Sequence, residues 1–479
     1  MKMYKYLLIF LVVGLNACNL PTQNTNGGAT PVISTVPSET SIPTNIPSTN
    51  TPVLEPSPTP VEIIATPTAR PLPIYADLQL RTEFGNIEEN DVVTGGEIYA
   101  VWWDKSYDLY NDALEIINVL EKVREGSYLT GLADPPNPGE GYYYNIYLHT
   151  SEAGKDNYPD GWANGQGTDT YSMPFLTLPI GYHLNTINLH HEGFHIFQYD
   201  SNSPGFDYSN DKGWYIEASA SWYAAQKNPD DVEAFLETGS IYALPHQKLW
   251  RSWWNPEPET PDNWQRSVRQ YGLSSLLYYL SEVEGVAAST FGRGFYVNSF
   301  YRPQEYLYRH IENYQEYFGN WAAHNAADFD YISRLQYDRM IYNLNEYADP
   351  DDIFPYAAIF PATGTDGEWY TPDPNLLPRD WAYNILQVDA NESATWLVEF
   401  EGDVVNSSET SYAFFEARVV VKNGDAFTFH SIPLIDGLSG SFEFQTDQTD
   451  ELIYIVIAAV PENFSGDQYY PYKIKIGKK

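Results

Sequence analysis

Residues 190–198 read His-His-Glu-Gly-Phe-His-Ile-Phe-Gln (HHEGFHIFQ) and hold three of the chain's nine histidines. On a helix, His191 and His195 are four apart and project from one face, one turn from each other. That spacing suits two imidazoles on one tetrahedral zinc, with Glu192 beside the metal to accept a proton from an activated water. His190 points about 100° away from that face and suits a supporting or surface role. A buried helix with hydrogen-bonded histidines is the competing reading, so a third ligand must come from elsewhere.

The stretch 214–222 reads WYIEASASW, with Glu217 twenty-two residues after His195. Glu217 opens a predicted helix there, and Ala218, Ser219, Ala220 and Ser221 are small enough to let its backbone approach the first helix closely. The intervening DSNSPGFDYSNDKG is rich in turn residues, so the chain can reverse within it. Two antiparallel helices would then bring Glu217 to the metal beside both imidazoles.

HEGFH followed by Glu217-Ala218-Ser219-Ala220 resembles the HExxH…ExxA pattern of gluzincin zinc metallopeptidases, the thermolysin-like part of that clan. The motif covers residues 191–220, and element order extends the likeness weakly to about 345. It implies a zincin-like domain: a small mixed sheet, with an edge strand over the active-site helix, above a mostly helical lower half. It further implies one catalytic Zn2+ held by His191, His195 and Glu217, with Glu192 as general base. A looser similarity joins the chain to bacterial surface metalloproteases with HExxHxxQ and WxxExxA, where Gln198 and Trp214 stand in the matching places. The metzincin pattern HExxHxxGxxH fails, because positions 198 and 201 are Gln and Ser. The family often stabilises its oxyanion with a Tyr or His downstream, which makes Tyr271 a candidate. His183, near the end of the expected edge strand at 173–180, is a second. Relatives sometimes bind calcium, and Asp200, Asp207 and Asp211 offer carboxylates. No EF-hand spacing is present, so a solvated acidic loop is the plainer reading.

The chain's start points to export. Lys2 and Lys5 precede a short apolar core, Leu7 to Val13, too short to span a bilayer. Leu15-Asn16-Ala17-Cys18 resembles the lipobox of bacterial lipoproteins, which implies a signal peptide over 1–18 and lipidation of Cys18. Cys18 is the chain's one cysteine, so no thiol remains for a disulfide or a Cys-type zinc site. Residues 19–72 are rich in Thr, Pro and Ser and read as a disordered tether, about 170 Å long if fully extended. The expected location is extracytoplasmic, at the cell surface, with the membrane reached by the lipid anchor alone. A net charge of −38 repels phosphates and disfavours a nucleic-acid partner.

Residues 73–365 then read as the metallopeptidase domain. Helical spacing marks 106–125, 186–199, 213–227, 231–238, 268–283, 304–318 and 327–345. Extended segments are expected at 142–148 and 173–180, with a Gly-rich loop at 161–169 between them. From 375 to 479, alternating runs such as FFEARVVV, AFTFHS and LIYIVIAAV predict an antiparallel β-sandwich, with Asn423-Gly424 as a hairpin signal. The fold class is thus α+β, a catalytic domain followed by a sandwich. The expected function is a surface-anchored metallopeptidase acting on protein or peptide. The alternative is a non-catalytic protein- or glycan-binding lipoprotein on the same scaffold. The sequence carries no reading of oligomeric state.

Overall fold

The computed structural model describes residues 90–95, 98–135, 143–149, 165–168, 173–198, 203–252, 268–297, 299–360, 367–403 and 414–479. The leader, Cys18, the tether and Asp200 lie outside these residues. Among the described residues no helix is long and apolar enough to cross a membrane.

The described residues are mixed α+β and form three sheets. The first contains β1 (Asn90–Gly95), β2 (Tyr99–Asp104), β3 (Tyr144–His149), β4 (Gly165–Thr168) and β5 (Pro174–Pro179), in the order β1-β2-β3-β5-β4. β2, β3 and β5 run parallel, while β1 and β4 pair antiparallel at the two edges. Tyr99, Val101, Ile146, Leu148, Leu176 and Leu178 point into the main core, and alternate residues Ala100, Trp102, Tyr147 and Phe175 form a smaller cluster on the other face. That alternation is the two-residue period of a sheet covered on both sides.

β4 falls where the sequence predicts only a Gly-rich loop, so β5 is internal and β4 is the edge strand. Pairing with β5 sets Gly165 opposite Thr177 and Thr168 opposite Pro174. The segment GQGT has no apolar alternation, and backbone pairing with the strand that follows it overrides its local preference.

Helix α1 (Tyr110–Leu129) connects β2 to β3 and packs Ala113, Ile116, Ile117, Leu120 and Val123 under the sheet. Helix α2 (Thr186–Gln198) carries the histidines and lies against α1, β5 and β4. Gly193 permits the α1 contact, since a Cβ there would sit 2.6 Å from Leu120 Cδ2. Helix α3 (Trp214–Lys227) returns against α2.

The lower half is more broken than its periodicity predicts. Residues 231–238 form turns and a single 3-10 turn, Leu236–Thr238, ahead of α4 (Gly239–Ala243). The span 268–283 is split at Leu273 into α5 (Arg269–Gly272) and α6 (Ser274–Glu282). After α7 (Ala288–Arg293), α8 (Pro303–His310) is separated from α9 (Tyr314–Ala326) by Asn313 at φ 61°. Asn tolerates that left-handed conformation better than most residues. Helix α10 (Arg334–Tyr347) starts late, because Asp328 and Phe329 both have positive φ. A capping box of Ser333 and Gln336 sets its first turn.

The C-terminal sandwich has a sheet of order β10-β9-β13-β7-β6 facing one of order β11-β12-β8-β14. Its strands are β6 (Ala358–Phe360), β7 (Ala382–Asp389), β8 (Ala394–Gly402), β9 (Phe415–Asn423), β10 (Ala426–Ser431), β11 (Leu434–Ile435), β12 (Ser439–Thr446), β13 (Leu452–Ala459) and β14 (Tyr472–Lys478). Every pair is antiparallel except β6–β7 at an edge. In the β9–β10 hairpin, Asn423 pairs with Ala426 and Gly424 takes φ +60°. The face of the first sheet away from the sandwich core packs Tyr383, Val420, Tyr454 and Val456 into the main cluster, with Phe318, Trp321 and Ala322 of α9. Sandwich and helical half therefore share one continuous core.

Candidate metal centre

His191, His195 and Glu217 converge from α2 and α3, all buried. His191 Nε2 is 3.0 Å from His195 Nε2 and 3.2 Å from Glu217 Oε2, and His195 Nε2 is 3.4 Å from the same oxygen. A tetrahedral ion with ligands at about 2.0–2.2 Å sets them about 3.3–3.6 Å apart. The observed triangle is within a few tenths of an ångström of that face.

Hydrogen bonding shows what the triangle needs. Gln198 Nε2 donates to Ser219 Oγ (2.8 Å) and to Ile216 O (3.3 Å), which turns Gln198 Oε1 toward His195 Nδ1 at 2.7 Å. Nδ1 of His195 is therefore the protonated nitrogen that donates, and its Nε2 lone pair faces the triangle. Ser221 Oγ lies 3.2 Å from His191 Nδ1, where the hydroxyl can accept from the ring in the same way. Lone pairs and a carboxylate converging in a dry pocket repel one another unless a positive charge sits among them. Burial alone would push the Glu217 carboxyl up, but the charge and hydrogen bonds of His195 and His191 outweigh it and hold it at about 2. Burial lowers the basicity of His195, and Glu217 more than restores it, so His195 ends above its ordinary range. Both directions express the mutual attraction of Glu217 and the imidazoles. Glu217 Oε1 is buried without a hydrogen-bond partner. Two histidines and a carboxylate are a donor set that suits zinc.

Glu192 is 2% exposed, with Oε2 lacking any hydrogen-bond partner. Burial raises its pKa, the two histidines oppose the rise, and Glu217 adds to it. A buried carboxyl group raised beside such a cluster is a candidate for proton transfer.

Tyr271 lies beside the cluster, its ring centroid 5.9 Å from that of His191. It sits on α5, anchored by Arg269, whose guanidinium donates to the carbonyls of Leu244 (2.9 Å), Gln247 (2.8 Å) and Ser240 (3.4 Å). His183 is tied instead to α1, with Nε2 2.9 Å from Asp112 Oδ2, while its Nδ1 accepts from Gly181 N. His190 accepts from Asn228 Nδ2 at 2.9 Å, and burial lowers its pKa to about 4, so it is a neutral brace between α2 and the end of α3. Asp207 is engaged by Lys212, and Asp211 by Gly466 N and, at 3.9 Å, Arg302. The described part of that acidic loop therefore gathers no calcium site.

Sequence reading missed the roles of Ser219, Ser221 and Tyr208. Ser221 stands one turn after Glu217, a spacing that points it along the ligand-bearing face. The Tyr208 hydroxyl is 3.4 Å from His195 Nδ1, but its turn-rich loop has no periodicity to reveal it.

No known protein family matches the chain, and no curated protein matches it. Among solved structures, the crystal structure of tripeptidyl peptidase 2 (TPP II) is 11% identical, covering 25% of this chain and 10% of that one, with a TM-score of 0.19. CorA, a surface-associated copper-binding protein of Methylomicrobium album BG8, is 9% identical over 26% of this chain and 98% of its own, TM-score 0.17. A CBM4 structure is 10% identical over 24% and 81%, TM-score 0.14. Likenesses this small carry no argument about fold or function.

Proposed function

We propose that the chain is a zinc metallopeptidase that hydrolyses peptide bonds in protein or peptide substrates. The observation that carries this reading is the convergence of His191, His195 and Glu217 beside the buried Glu192, whose Oε2 lacks a hydrogen-bond partner. Structural zinc sites use four protein ligands, whereas three protein ligands and an open fourth position mark catalytic ones.

Zinc supplies a Lewis acid that polarises the scissile carbonyl and makes a water acidic near neutral pH. Glu192 takes the proton from that water as its oxygen adds to the carbonyl carbon. The same carboxyl group then gives the proton to the amine nitrogen as the C–N bond breaks. Gln198 and Ser221 hold the imidazoles in the tautomer that turns Nε2 inward. Tyr271, next to His191, is the donor proposed for the oxyanion. Glu192→Gln should keep about one zinc per chain and lower casein cleavage by on the order of 10²–10⁴-fold. Cleavage at the parent rate would remove Glu192 from its role.

The near-complete burial of all four side chains favours one second reading, a non-catalytic surface protein in which the metal only braces α2 against α3. Bound zinc with no chelator-sensitive cleavage of any protein substrate would select it. The lipobox-like Leu15-to-Cys18 segment supports a lipid-anchored, extracytoplasmic protein, and membrane fractionation of a Cys18→Ser chain decides that point.

A further inference from the structure

Helix α3 begins without a capping side chain, because its N-cap is Gly213. Its first residue, Trp214, is fully buried, and Glu217 follows three positions later on the same side of the helix. An uncapped first turn is the part of a helix most prone to fray, yet a metal ligand has to be held within about 0.5 Å.

The restraint comes from Gln304 of α8, itself 0% exposed. Its Oε1 accepts from Trp214 Nε1 at 3.1 Å. Its Nε2 donates to Asp211 O at 3.1 Å and to Phe464 O at 2.7 Å. Phe464 belongs to the loop between β13 and β14 of the sandwich. That loop is gripped along its length: Trp381 Nε1 donates to Asn463 O at 3.1 Å, and Trp250 Nε1 to Gly466 O at 2.9 Å. Gly466 N in turn donates to Asp211 Oδ2 at 3.2 Å. The segment leading into α3 is thus clasped by one buried amide and by the sandwich loop.

We propose that Gln304 is a positioning residue through which the β13–β14 loop of the sandwich fixes the first turn of α3, and with it the carboxylate of Glu217. The inference rests on the metallopeptidase reading and assigns the sandwich a part in it. Gln304→Met matches the side chain in length but can neither donate nor accept these bonds. Trp214→Phe removes the indole donor together with part of the ring and stands in if the first variant fails to fold. Ile455→Val, in the sandwich core away from the clasp, controls for loss of stability.

Zinc affinity, by chelator competition, and kcat and KM on one peptide are measured on the full chain. Gln304→Met and Trp214→Phe should weaken zinc binding by on the order of tenfold and lower kcat with KM unchanged. Ile455→Val, at a comparable loss in Tm, should alter neither. Parent-like zinc affinity and kcat in both clasp variants would overturn the inference and leave the peptidase reading standing. A parent chain that holds no metal would overturn both.

Discussion

At the scale of single residues, His195 shows how the site is defined from outside. Its tautomer follows from Gln198, whose amide is oriented by Ser219 and the Ile216 carbonyl. Gln198→Leu removes the 2.7 Å acceptor and leaves the Nδ1 proton of His195 only the Tyr208 hydroxyl at 3.4 Å. Zinc affinity should fall by about 10–100-fold while the helical circular-dichroism signal is kept; parent-like affinity would show that Gln198 only fills space. His191, His195 and Glu192 were legible in the sequence because one helical turn fixes their relative placement. Ser221 and Tyr208 were not, since their contacts depend on how two helices and a loop meet. His183 illustrates the converse: its place after a strand suggested the site, and an unforeseen partner, Asp112, holds it on α1.

At the scale of elements, the pairing of α2 with α3 could be anticipated from small residues and a turn-rich connection. The short α5 could not be, because apolar spacing runs through Leu273 without announcing a break. Gly272 ends that helix with no room for a side chain: a Cβ would lie 2.4 Å from the Glu237 carbonyl oxygen and 2.5 Å from Ser240 Oγ. Gly272→Ala should displace α5, costing about 1–3 kcal/mol and lowering kcat through Tyr271. A denaturant midpoint and a rate measured together check this, and an unchanged midpoint would contradict it. β4 stayed hidden because GQGT finds its structure only in pairing with β5. For α10 the cue was present, since the Ser333–Gln336 capping box marks the start that helical spacing places too early.

At the scale of the whole molecule, the sandwich is fused to the helical half through a shared core and a buried polar junction. Asp380 sits in that junction, accepting from Asn463 Nδ2, Tyr470 OH and the Gln468 amide. Burial outweighs those bonds and raises its pKa to about 6. A carboxyl group raised in the folded state favours folding below pH ~4, and that contribution is lost as pH rises through about 6. Asp380→Asn should remove up to about 3 kcal/mol of stability loss between pH 4 and 7, read from urea midpoints of parent and variant. Parallel curves would place the proton elsewhere. The strands themselves were readable from alternation, but their fusion to α9 was not, because the apolar outer face of β9 and β13 names no partner.

The central claim is that His191, His195 and Glu217 hold one catalytic metal. Anomalous diffraction at the zinc edge from zinc-loaded crystals tests it most directly. One peak is predicted about 2.0–2.2 Å from His191 Nε2, His195 Nε2 and a Glu217 oxygen, with no fourth protein ligand. No peak at that point, or a peak completed by a fourth side chain, would contradict the account.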